Sequence, residues 1–315
     1  SGNFTVNVNT LSLGYHTITF QGRDNYTTWS PKVSSWLVVK AYPNATIVSQ
    51  SSYSIDFGDL LSFSGSGSDE DGTITGYEWI SSRDGLLSTN SSLSSTSLSV
   101  GFHWVTFKVK DNDTLWSLPV TTQISVNDIP VSVIDGITPQ IAYQNNLTNY
   151  IITFNGSTYD KDGRITSYYW SSSKDGTLSE LGNFTFNVNN LTLGYHNITF
   201  QGIDNGTAWS PEVYSWLIVK AYPDASIDYV SHTFSNETKN VVFEGSGTDG
   251  DGNITKFTWY SSIDGLISTL QNFSIATLSP GEHYIYLKVK DDDGLWSREV
   301  GIDLTVNGKP VGEIV

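Results

Sequence analysis

Fourteen asparagines in this chain stand two residues ahead of a serine or threonine, with no proline between. They are Asn3, Asn25, Asn44, Asn90, Asn112, Asn146, Asn155, Asn183, Asn190, Asn197, Asn205, Asn236, Asn253 and Asn272. That spacing is the acceptor signature for a covalent N-linked glycan, which belongs on a surface. The chain has 23 asparagines, and its Ser and Thr content would give roughly six such triplets by chance. Parity adds weight. In Asn183-Phe-Thr185 and Asn197-Ile-Thr199 the Asn and Thr share the wet face of a strand while the middle residue points inward.

Acidic turns form a second group. Asp69 and Asp71, Asp160 and Asp162, and Asp249 and Asp251 each precede a strand. Asp111 and Asp113, Asp204, and Asp291 and Asp293 lie in later hairpins. If the two sets of loops emerge at one end of a domain, their carboxylates suit Ca²⁺, which takes six to eight oxygens. The twelve-residue EF-hand spacing is absent. Plain turn chemistry accounts for the same residues, since Asp and Gly suit tight hairpins. Both readings stand.

The histidines offer the residue type for acid–base work, but four of the five, His16, His103, His196 and His283, occupy one repeated position. Only His232 stands alone. Repetition argues for a structural turn-to-strand role. There is no His-Glu-x-x-His, Gly-x-Ser-x-Gly or Gly-rich phosphate loop, and no enzymatic activity is expected. Tyr15, Trp36, Trp104, Tyr195 and Trp216 could stack on sugar rings. Packing is the expected role, with Trp36 and Trp216 read as half-buried or as cover for a domain joint.

The elements that would position these groups follow from repetition and parity. Residues 1–43 return as 181–223 with 32 of 43 positions identical and no gap. Within this 180-residue period lies a shorter one of about 90, marked by Trp79, Trp170 and Trp259. Apolar and polar residues alternate in short runs, as at Phe184, Phe186 and Val188 against Asn183, Thr185 and Asn187. Period two means strand, and one wet face means antiparallel sheet. Turn signals such as Asp71-Gly72, Asp84-Gly85, Asp175-Gly176 and Asp293-Gly294 punctuate the strands.

Boundaries are expected at Pro43, Pro130, Pro223 and Pro310. The segments are then 1–43, the C-terminal half of a domain; 44–130, 131–223 and 224–310, each a whole domain; and 311–315, the first strand of a following one. Short proline joints without Gly/Ser spacers predict a linear rod. The chain starts and stops out of phase with its repeats. It reads as a mature window on a longer chain, and strand exchange between subunits is the alternative.

Net charge is −16, which argues against nucleic acid and anionic membrane as partners, because both require a basic footprint. Cysteine and methionine are both absent, so there is neither a disulfide framework nor thiol chemistry. A chain exposed to oxidants would lose both residues. The longest apolar stretch, around Trp36–Val39, is far short of a membrane span.

Three segments share one line: FSGSGSDEDGTITGYEW at 63–79, FNGSTYDKDGRITSYYW at 154–170 and FEGSGTDGDGNITKFTW at 243–259. Each is followed by a Gly-x-His, an alternating strand, an acidic turn and Trp-Ser (Trp116, Trp209, Trp296). This pattern resembles the PKD family of immunoglobulin-like domains. One departure is Trp79-Ile-Ser-Ser-Arg-Asp-Gly85 in place of the family's Trp-Asp-Phe-Gly-Asp-Gly, which places the units in a divergent branch. The resemblance implies seven-stranded sandwiches with extracellular spacer or adhesive roles. Independently of it, Trp79, Trp170 and Trp259 are expected mid-strand between two sheets.

The fold class expected is therefore all-β, tandem immunoglobulin-like, PKD-like sandwiches. The function expected is a structural extracellular or cell-surface component: a stiff, N-glycosylated fibre, stalk or envelope layer. Its partners would be neighbouring copies of the same repeat and covalent N-glycans, with no cofactor beyond the calcium considered above. An adhesin, or a carbohydrate-binding accessory region of a secreted hydrolase, is the competing reading.

Overall fold

The computed structural model describes residues 3–144 and 150–309. Asn146 and the stretch 311–315 lie outside the described residues. The fold is all-β, and its strands fall where period-two alternation ends in a Gly, Asp or Pro turn.

One compact unit runs as far as Ile129 and also takes in Asp160–Arg164 and Asp204–Ala208. The other holds the remainder from Pro130 onward. The same sheet pair, three strands facing five, occurs three times, once in the first unit and twice in the second. The copy between 131 and 221 serves as the example. Its three-stranded sheet orders Val131–Thr138, Ile151–Tyr159 and Asn183–Asn187. Its five-stranded sheet orders Ile141–Gln144, Val213–Ala221, Gly194–Asp204, Ile165–Ser172 and Gly176–Ser179. The pairs of the three-stranded sheet, Gly194–Asp204 with Val213–Ala221, and Ile165–Ser172 with Gly176–Ser179 are antiparallel; the exception is Ile141–Gln144, which runs parallel to Val213–Ala221.

That exception is why eight strand segments replace the seven expected. The first strand breaks after Thr138 and crosses to the other sheet at Ile141, so one stretch closes an edge of both. The same crossing separates Asn44–Gln50 from Ser54–Asp56 and Asp224–Val230 from Phe234–Asn236. Covering a strand edge in this way removes unpaired backbone groups that would template aggregation.

Between the sheets lies one Trp-centred core per copy. Trp79 packs with Leu61, Phe63, Phe107, Val109 and Ile124. Trp170 packs with Phe154, Val188, Ile198, Phe200 and Leu217, and Trp259 with Phe243, Ile285, Leu287 and Leu304. All three tryptophans are fully buried. The indole N–H of Trp170 donates to the Gly182 carbonyl at 3.2 Å and that of Trp259 to the Leu270 carbonyl at 3.1 Å, so a polar atom enters the core with its partner. Gly156 is required by this packing. A Cβ there would lie 2.6 Å from Trp170 Cζ2 and 2.8 Å from the Phe200 ring.

The segment before Pro43 forms a two-stranded sheet only, Gly14–Phe20 with Val33–Val39. Among the described residues no second sheet faces its apolar side. Phe20 is 59 % exposed, whereas its repeat counterpart Phe200 is fully buried.

Candidate functional site

Serine, histidine and aspartate meet once beside each of the three cores. Ser81 ends the strand Ile74–Ser81, and His103 lies near the start of Gly101–Asp111. Ser81 Oγ is 2.8 Å from His103 Nδ1, and His103 Nε2 is 2.6 Å from the Ser99 carbonyl. A carbonyl only accepts, so Nε2 carries the hydrogen and Nδ1 accepts from the Ser81 hydroxyl. Ser81 Oγ in turn accepts the N–H groups of Arg83 and Asp84. Both ring nitrogens are thus engaged, and the ring is fully buried. The hydroxyl oxygen is tied to the ring and to two backbone N–H groups at once.

The arrangement recurs with Ser172, His196 and Thr192, and with Ser261, His283 and Ser279. Asp84 completes the first clasp by accepting the Ser99 hydroxyl at 2.6 Å and its N–H at 3.0 Å. Burial alone would raise the Asp84 carboxyl; the two Ser99 bonds outweigh it and hold the group below its ordinary value. Asp264 is lowered by the same balance between burial and its Ser279 bonds. Among the described residues His16 keeps only the bond to the Ser12 carbonyl, at 2.6 Å. A groove of about 600 Å³ beside Pro43 is lined by Tyr42, Trp116, Leu118 and Pro119 and contains no histidine or carboxylate.

The acidic loops do meet. Asn112 N–H donates to the Thr73 carbonyl, and Thr73 N–H donates to Asn112 Oδ1 at 2.7 Å, tying the loop at 69–73 to the turn at 111–115. The carboxylates then divide by role. Asp71 accepts the Ala41 N–H at 3.1 Å, and Asp113 pairs with Lys40. In the second unit Asp251 accepts the Ala221 N–H at 2.8 Å, and Asp293 pairs with Lys220. Asp162 accepts the Asp128 N–H, and Asp204 Oδ2 accepts from Asn127 Nδ2 at 2.9 Å. These aspartates hold the chain segment that enters the domain, a role that sequence spacing does not reveal.

What remains is buried and unpartnered: both oxygens of Asp69, Asp160 and Asp249, and Oδ2 of Asp111 and Asp291. The N–H groups of Gly250 and Asp251 lie near the Asp249 carboxylate without reaching hydrogen-bond geometry. Burial, with Asp251 and Asp291 beside it, raises the Asp249 carboxyl above its ordinary value. Burial, with Asp162 and Asp204 beside it, does the same at Asp160. Among the described residues no three Asp, Glu or His side chains close on one point as a preformed metal cage.

Every described sequon asparagine is exposed: Asn3, Asn25, Asn44, Asn90, Asn112, Asn155, Asn183, Asn190, Asn197, Asn205, Asn236, Asn253 and Asn272. Several also accept a backbone N–H through Oδ1, as Asn183 does from Gly156 and Asn272 from Gly245. This turns the carboxamide nitrogen away from that bond.

The aromatic residues differ from expectation. Leu217 and Val219 face the core, which puts Trp216 on the outer face at 38 % exposure. Trp36 is 73 % exposed and lies against Tyr15, with ring centroids 6.4 Å apart; Trp104 and Tyr195 are exposed as well. Parity correctly separates Trp from Leu in Ser-Trp-Leu, but it does not say which of the two faces inward.

No family model matches the chain, and no curated protein does. Solved structures do. The N-terminal eight Ig domains of the Down Syndrome Cell Adhesion Molecule match over 94 % of this chain and 43 % of theirs, at 10 % identity and a TM-score of 0.54. An I-band fragment of titin matches over 86 % of this chain and 100 % of its own, at 14 % identity and 0.46. Extracellular domains 3–5 of Drosophila OTK match over 86 % and 99 %, at 13 % identity and 0.36. This chain spans less than half of the first of these, and at such identities the likeness is one of fold. Among the described residues no helix is long and apolar enough to cross a membrane. The fold is that of immunoglobulin-like β-sandwiches in tandem.

Proposed function

We propose that this chain is a structural, extracellular repeat protein: tandem PKD-like domains, divided at Pro43, Pro130, Pro223 and Pro310, forming a stiff N-glycosylated fibre, stalk or envelope layer. The observation that carries this reading is the repeated anchoring of entering chain to domain end. Ala41 and Lys40 are held by Asp71 and Asp113, and 180 residues later Ala221 and Lys220 are held by Asp251 and Asp293. A joint reproduced in this way can pass load from one domain to the next. The three separate Trp-centred cores support the division into domains. The Ser–His–Asp clasps, satisfied internally and buried, support a non-enzymatic role. The partners in this reading are further copies of the same repeat and the covalent glycans. A denaturing gel of the assembled material tests it: a covalent fibre runs as one very large species, and dissolution into separate short chains would overturn it.

A bound calcium ion is a subsidiary part of the proposal. It is supported by the unpartnered oxygens of Asp69 with Asp111 and of Asp249 with Asp291. Carboxamide, carbonyl and water oxygens would complete the shell of a hard cation. Chelator should lower the melting midpoint, and a midpoint that does not move would remove calcium from the account.

Exposed Trp36 and Trp104 favour one second reading, a sugar-binding or adhesive surface. A glycan array showing no binding would dispose of it.

A further inference from the structure

Four residues other than glycine have a positive φ among the described residues: Thr27 at 71°, Thr114 at 72°, Thr207 at 75° and Thr238 at 71°. This is the left-handed region, where a β-branched side chain is strained. Strain of this kind persists only where something retains it. All four threonines are the third residue of a sequon, beginning at Asn25, Asn112, Asn205 and Asn236 respectively.

The chain contains its own controls. Three of the turns are built alike. The aspartate that opens each exchanges bonds with the residue four positions on: Asp24 with Thr28, Asp111 with Leu115, Asp204 with Ala208. The same turn occurs a fourth time, with Asp291 and Leu295, and there the strained position holds Gly294 at φ 91°. Gly294 is the 180-residue counterpart of Thr114, and Thr238 has a glycine counterpart too, Gly58 at φ 96°. Wherever glycine relieves the strain, the residue two places before it is Asp: Asp292 and Asp56. Wherever threonine bears the strain, that residue is Asn.

Folding does not explain the pairing. Asp292 Oδ1 accepts the Asn253 N–H at 3.0 Å, and Asn112 and Asn205 accept the Thr73 and Arg164 N–H groups in the same way. An aspartate therefore does the structural work. What asparagine adds is Nδ2. The threonines add nothing to the fold either. All four are exposed, and none of their hydroxyls has a hydrogen-bond partner among the described residues.

We infer that Asn25, Asn112, Asn205 and Asn236 are glycan attachment sites, and that the strained threonine is kept at each because the glycosyl transfer reads its hydroxyl. The donor is a lipid-phosphate-linked oligosaccharide. Nδ2 forms a bond to the sugar's C1, the C1–O bond to the lipid phosphate breaks, the phosphate leaves with the electron pair, and the displaced Nδ2 proton passes to a base of the transferase. The inference rests on the extracellular reading above, but a structural fibre would survive its failure.

The test is glycopeptide mass spectrometry on the full chain from a host with N-linked transfer, together with melting of the bare chain from a host without it. We expect sugar on all four asparagines. Thr114→Gly and Thr207→Gly should lose the sugar at Asn112 and Asn205, while Thr114→Ser should keep it. In the bare protein both glycine variants should melt higher than the parent, by roughly 3 °C, as strain is released. Bare asparagine at these four turns in a chain glycosylated elsewhere would overturn the inference. So would a lower melting midpoint for the glycine variants, because threonine would then have a role in the fold.

Discussion

His196→Ala and His16→Ala change the same repeat position in two surroundings, and the structure assigns them very different consequences. His196 is fully buried, with Nδ1 2.8 Å from Ser172 Oγ and Nε2 2.7 Å from the Thr192 carbonyl. Truncation removes two bonds of about 1 kcal/mol each and strands a buried hydroxyl and a carbonyl at about 1–3 kcal/mol apiece. It also opens a cavity the size of an imidazole. Part of this is recovered by water entry and relaxation, leaving about 3–5 kcal/mol. Sandwiches of this size have only about 5–15 kcal/mol in total. His16 is half-buried and makes one bond, with no Ser partner at Nδ1, and its loss should stay within about 1 kcal/mol. Differential scanning calorimetry of the full chain reads both. His196→Ala should drop one transition by roughly 12–40 °C and leave the others in place, while His16→Ala should move none by more than a few degrees. Equal shifts for the two variants, or no shift for His196→Ala, would mean that the clasp does not hold the hairpin.

Gly156→Ala should destabilise by about 1–3 kcal/mol, seen in urea unfolding, because its Cβ meets buried Trp170 and Phe200 rather than a movable chain end. Asp71→Ala should speed hydrogen exchange at the Ala41 amide by about five- to tenfold, the worth of one bond of roughly 1 kcal/mol, and leave Ala221 unchanged. Asp84 and Asp249 should respond to pH with opposite signs. The folded-state carboxyl of Asp84 is lowered, so its contribution is present above the unfolded value and lost as pH falls through the folded one. That of Asp249 is raised, so its contribution is present below the unfolded value and lost as pH rises through the folded one. Melting in chelator should therefore show Asp84→Asn below and Asp249→Asn above the parent near about pH 7, with both differences shrinking toward about pH 2. Shifts of the same sign would contradict the assignment.

Much of this protein is set by local pattern alone. Alternation along Phe184–Val188 and Ile198–Phe200 specifies strands, Asp-Gly pairs specify their ends, and the return of residues 1–43 at 181–223 specifies a repeated sandwich. Those signals are legible because backbone period and turn chemistry act between near neighbours. The exposure of strand asparagines such as Asn183 and Asn197 follows from the same parity. Tertiary structure alone decided the rest. It made the first strand serve two sheets, turned Trp216 outward and Leu217 inward, and gave Asp71 and Asp113 to Ala41 and Lys40 while leaving both oxygens of Asp69 and Oδ2 of Asp111 without partners. Each of these outcomes depends on which of two alternating faces meets another sheet, or on which donor reaches a given oxygen from tens of residues away. Spacing along a chain carries no record of such encounters; they exist only once the chain has folded.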